Sequence, residues 1–86
     1  MDAMNVLEIK REESLLSIDA CNAIRKGIHP RQEILTLIQE APSGTLCEVF
    51  VPHRTGPLIS ALESLGMNVA ITEIAHGIWR MRMMKM

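Results

Sequence analysis

The apolar residues of this 86-residue chain change their spacing as the chain advances, and that change restricts the fold more than any other feature. Residues 15–20 form a short apolar-rich run, long enough for a strand and too short for a helix. After Pro30, which suits a first helical position, Ile34, Leu37, Ile38 and Ala41 recur at helical spacing. Pro42-Ser43-Gly44 closes that segment, and residues 46–51 read as a second strand rich in β-branched and aromatic side chains. A second helical stripe of Leu58, Ala61, Leu62 and Leu65 opens at Thr55-Gly56-Pro57 and ends at Gly66, a natural left-handed cap. Residues 67–74 and 78–84 read as strands joined through Ala75-His76-Gly77. This β-α-β-α-β-β order predicts an α/β (α+β) two-layer sandwich: a four-stranded mixed sheet with two helices on one face.

Alternation along the second strand assigns Cys47, Val49 and Val51 to the helix-covered face, because Glu48 interrupts the other set. The opposite face is then open. Leu15, Leu46, Phe50 and Ile78 are expected there beside Glu48, Arg80 and Arg82, as a candidate partner surface.

Length allows a single domain over residues 14–86, and a chain this short buries only roughly 60% of its unfolded surface. Residues 1–13 read either as a flexible segment or as an extra strand built on Val6, Leu7 and Ile9, with Lys10 to Glu13 solvated. Nine Lys and Arg against ten Asp and Glu leave a net charge of −1, which lacks the basic excess that recruits nucleic acid or anionic lipid. No apolar run reaches the roughly 20 residues of a membrane span, and the first 13 residues are charged where a secretory signal is apolar. The expected location is cytoplasmic, which keeps Cys21 and Cys47 as free thiols.

If the strands that alternate with helices run parallel, their carboxyl ends share one rim. Cys21, Arg25 and His29 follow the first strand, His53, Arg54 and Thr55 the second, and His76 the third. Both helix N-termini point at this rim and add partial positive charge. The candidate ligand-binding residues are therefore Arg25, His29, His53, Arg54, Thr55 and His76, facing a small anionic ligand or a protein partner. No close histidine pair supports a metal site, and no cofactor is implied. Cys21, close to Arg25 and to a helix N-terminus, is the candidate reactive thiol with a lowered pKa. Cys47 is expected in the core, the Met-rich C-terminus as packing, and Lys85 as solvated charge. Neither a Ser-His-Asp set, a glycine-rich phosphate loop nor a carboxylate pair is present, so a binding role is expected over an enzymatic one.

Taken in order, Ile18-Asp19-Ala20-Cys21, Gly27-Ile28-His29-Pro30, Pro42-Ser43-Gly44, Pro57-Leu58, Leu65-Gly66 and Trp79 resemble the TusA/SirA-like superfamily over residues 15–85. The likeness is greater to a sister branch of that superfamily, a bacterial domain of unknown function. The resemblance implies the same two-layer sandwich with the last strand antiparallel to the other three. It also implies a loose redox or nitrosative-stress setting. The superfamily's sulfur carriers hold persulfide on a Cys-Pro-x-Pro cysteine, whereas this chain reads His29-Pro30-Arg31-Gln32 at that corner. The expectation is thus a small binding or adaptor module. One alternative is a thiol-dependent sulfur or redox carrier using Cys21, and a second is metal binding by His29, His53 and His76.

Overall fold

The computed structural model describes residues 7–85. Strands β1 (Glu8–Glu12), β2 (Leu15–Asp19), β3 (Leu46–Val51), β4 (Ala70–Ala75) and β5 (Ile78–Met84) form one mixed sheet in the order β1-β2-β3-β5-β4. The helices among the described residues are α1 (Cys21–Arg25), α2 (Arg31–Glu40) and α3 (Gly56–Ser64). β2 and β3 are parallel, and β5 runs antiparallel to both β3 and β4, so β2, β3 and β4 point the same way. The α+β sandwich is as expected, but the count of four strands and two helices is corrected to five and three.

The additional strand, β1, pairs antiparallel with β2 from Glu8↔Asp19 to Glu12↔Leu15, and all five of its residues are exposed. Solvated side chains at Lys10 to Glu12 are compatible with pairing because an edge strand needs only one neighbour, and its charges deter a further one. The additional helix, α1, lies between β2 and Pro30, where the apolar spacing marks neither a strand nor a helix. It starts where the Cys21 N–H donates to Asp19 Oδ1 at 3.0 Å, a side-chain turn that aspartate forms readily. It stops in a Schellman arrangement: Ile28 N–H donates to Ala23 O at 2.9 Å and Gly27 N–H to Ile24 O at 3.0 Å, with Gly27 at φ 83°.

The same device ends α3, where Gly66 sits at φ 87° and donates to Glu63 O, while Met67 N–H reaches Leu62 O at 3.4 Å. Met67 is buried with Leu62 as the apolar contact that accompanies this cap, which is why β4 starts at Ala70 and not at residue 67. The buried side of α3 is Leu58, Ile59 and Leu62; Leu65, expected on that stripe, is the C-cap residue and stays 42% exposed. Pro30 precedes α2 as its N-cap, one position earlier than expected. At the far end of the chain, an irregularity between Glu73 and Ala75 swings Ile74 outward in β4.

The core lies between the helices and one sheet face. Leu16 and Ile18 of β2, Cys47, Val49 and Val51 of β3, and Met81 and Met83 of β5 pack against Ile34, Ile38, Leu58 and Leu62. Each such side chain contributes on the order of 1.5–3 kcal/mol by leaving water. The expected inward set of β3 is therefore the observed one, at 0% exposure for all three residues. On the other face Leu15, Leu46, Phe50 and Ile78 are only half-buried, and no described element covers them. There Arg82 Nε meets Glu48 Oε2 across strands at 3.0 Å.

Candidate functional site

Parallel β2, β3 and β4 bring their carboxyl ends to one edge, and the segments that leave β2 and β3 shape it. α2 and α3 both begin at this edge, because each must run back along the sheet to start the next parallel strand. Between their N-termini lies a groove of about 540 Å³. Ile24, Ile34 and Leu58 supply its apolar wall, and His29, Arg31, His53, Arg54 and Thr55 supply its polar rim. The four basic side chains are exposed at the mouth.

Of the six expected ligand-binding residues, His29, His53, Arg54 and Thr55 meet in this groove. Arg25 and His76 do not line it. Arg25 projects from α1 toward the β4–β5 turn, where its Nη2 donates to the Gly77 carbonyl at 3.5 Å, and His76 is exposed within that turn. β5 inserts between β3 and β4, and that spacing separates the third strand exit from the first two. Arg31 lines the groove as well, although it is not among the six. Its signal in the sequence is its place directly after Pro30, as the first residue of α2.

Thr55 is the N-cap of α3, yet its side chain makes no capping hydrogen bond. Its Oγ1 is shielded from solvent and has no hydrogen-bond partner. The first-turn N–H groups of a helix have no intrahelical acceptor, and α3 keeps those of Gly56 and Leu58 while Pro57 has none. α2 adds the free first-turn groups of Arg31 and Gln32. The groove thus joins backbone donors, a hydroxyl and cationic side chains around an apolar wall, a combination suited to a small anion.

Cys21 departs from its expected chemistry. It is 6% exposed, and its pKa is raised, not lowered. Burial is the main cause, the Asp19 carboxylate adds to it by charge and by accepting a hydrogen bond, and Arg25 opposes it by less. Such a thiol holds little thiolate at neutral pH. Cys47 is likewise buried, with a pKa raised by desolvation. Among the described residues no three His, Cys, Asp or Glu side chains form a group able to hold a metal ion, so His29, His53 and His76 do not converge as ligands.

The chain matches no family model, no curated protein and no solved structure. No helix among the described residues is long and apolar enough to cross a membrane.

Proposed function

We propose that this chain is a small binding module that takes an anionic ligand, a carboxylate or a phosphate, into the groove between α2 and α3. The observation that carries this reading is the groove between the N-termini of α2 and α3, whose mouth bears His29, Arg31, His53 and Arg54 and whose lining holds the shielded, unpartnered hydroxyl of Thr55. Two helix N-termini supply partial positive charge, the Arg31 and Arg54 guanidinium groups supply full charge, and the apolar wall excludes water from one side of the bound group. Kinship with the TusA/SirA-like superfamily, with the redox or nitrosative-stress setting of its sister branch, belongs to the same proposal. Its support is the ordered motif set together with the succession β2, α2, β3, α3, β4, β5. A cytoplasmic setting is supported by two unpaired thiols.

The test is an NMR titration of the intact chain with inorganic phosphate and, separately, acetate at low ionic strength. The reading expects saturable shifts confined to the amides of Arg31, Gln32, Gly56 and Leu58, with dissociation constants in the millimolar range for such minimal probes. Arg54→Glu should remove the response and leave the rest of the spectrum in place. Uniform small shifts, or none, from either anion would overturn the proposal.

A further inference from the structure

The open sheet face carries a pattern that the groove does not explain. Register places Leu46, Glu48 and Phe50 of β3 directly beside Met84, Arg82 and Arg80 of β5. Alternation directs all six side chains to the face without helices. Three neighbouring levels therefore read apolar against apolar, acid against base, and aromatic ring against guanidinium. The flanks are also polarised. Asp19, Glu8 and Glu12 lie at these levels on the β1–β2 side, with Lys10 the one cation among them, and β4 contributes only uncharged Ala70 and Thr72 on the other side.

We infer that this face binds a second copy of the chain through a twofold axis running along the strands between β3 and β5. Such an axis exchanges the two strands and keeps the level along them. Glu48 then faces Arg82 of the copy, Phe50 faces its Arg80, and Leu46 faces its Met84, with each contact made twice as an isologous interface requires. The existing Glu48–Arg82 bridge at 3.0 Å becomes one edge of a four-charge ring of alternating sign. Arg80 is half-buried, and its Nε has no hydrogen-bond partner, so no internal acceptor claims that nitrogen. Stacking on the copy's Phe50 is a contact that arginine favours. Met84, at 47% exposed, and the half-buried Leu46 leave water on the same event. Two sheets stacked in this way adopt the aligned packing common in sandwiches.

The axis stacks four strands, β2, β3, β5 and β4, on the copy, and at ~4.8 Å spacing and ~18 Å length they present a projected face of ~350 Å². That is below the roughly 800 Å² per partner of a standard interface, so the association is weak and concentration-dependent.

Sedimentation equilibrium of the intact chain from micromolar to millimolar concentration tests this directly. The expected result is a reversible rise from the 9.6 kDa monomer toward twice that mass. Glu48→Arg and Arg82→Glu should each weaken self-association at least tenfold, since each sets like charges across the axis. Mixing the two variants should restore dimer. The arginine introduced at position 48 of one chain then meets the glutamate introduced at position 82 of the other, and the unaltered residues at these two positions also form a pair of opposite sign. Rescue on mixing requires an intermolecular contact and cannot come from the bridge within one chain. A wild type that stays monomeric throughout overturns the inference without recourse to any variant. So does dimerisation that both variants leave unchanged, or protection of Phe50 and Arg80 in a species of single-chain mass, which would put residues 1–6 on the face.

Discussion

Lys85 Nζ donates to the Gln39 carbonyl across 2.7 Å, joining the residue after the last strand to the last turn of α2, 46 positions earlier. The same nitrogen reaches Ile38 O at 3.1 Å and Ala41 O at 2.9 Å. α2 has no basic residue in its own last turn, so its unsatisfied carbonyls and partial negative charge are met from the end of β5. The main chain reinforces the junction, with Gly44 N–H donating to Lys85 O at 2.7 Å and Lys85 N–H to Thr45 O at 2.8 Å. Lys85 is therefore a tertiary cap and not the solvated charge that its position in the sequence indicates. Lys85→Met should cost about 1–2 kcal/mol, and Lys85→Glu more because it reverses the sign at the helix terminus. Urea unfolding at fixed pH measures both; equal stability of all three chains would rule the cap out.

α3 offers a paired test of its buried side. Leu62 is fully buried and its carbonyl closes the Schellman cap with Met67, whereas Leu65 is 42% exposed. Leu62→Ala should cost about 2–5 kcal/mol, which approaches the whole stability of a domain this size. Leu65→Ala should stay within about 1 kcal/mol. Thermal unfolding followed by circular dichroism separates the two, and comparable losses would show that the buried stripe includes Leu65 after all.

The buried thiols predict the direction of a pH dependence. Cys21 and Cys47 have pKa values raised in the fold, so the folded chain retains their protons where the unfolded chain, with thiols near about 8.5, has begun to lose them. The unfolded state then binds fewer protons, and stability must fall as pH rises through that range. Their contribution is complete below the unfolded-state value and is lost toward the folded-state one. Urea midpoints from neutral to alkaline pH should decline and decline less in Cys21→Ala. Native Cys21 should also alkylate more slowly than a free thiol, and fast reaction with iodoacetamide at neutral pH would contradict the assignment.

What can be read from the sequence follows the period of its apolar residues. The inward sets of β3 (Cys47, Val49, Val51) and β5 (Trp79, Met81, Met83) are apolar throughout, and the predicted limits of the two strands, Leu46–Val51 and Ile78–Met84, are the observed ones. The parallel strand exits that gather His29, His53, Arg54 and Thr55 follow from strand and helix alternation alone. β1 carries no such signal, since an edge strand of exposed residues buries no stripe. α1 is too short for a helical period; its traces are Asp19 before it and Gly27 after it. His76 falls outside the groove because strand order within a sheet is not written in local pattern, and β5 stands between β3 and β4. Arg25 falls outside it because α1 carries its side chain toward Gly77. Lys85 shows the same gap at longer range, for nothing near it in sequence announces a helix terminus.

Thr55 yields the sharpest separation between stability and binding. A threonine at an N-cap ordinarily stabilises its helix through its hydroxyl, and removing that oxygen costs about 1 kcal/mol. Here the hydroxyl makes no such bond and is shielded from solvent without a partner, a state that itself costs about 1–3 kcal/mol. Thr55→Val keeps the side chain's shape and deletes only the unsatisfied oxygen, so stability should be unchanged or slightly increased. The same substitution should weaken phosphate binding several-fold, because an anion seated on the Gly56 and Leu58 N–H groups displaces the atoms that shield the hydroxyl and gains from it a donor that valine lacks. Unfolding and NMR titration of one variant therefore move in opposite directions if the hydroxyl is held for a ligand. A loss of stability near about 1 kcal/mol with binding intact would return Thr55 to the role of an ordinary cap.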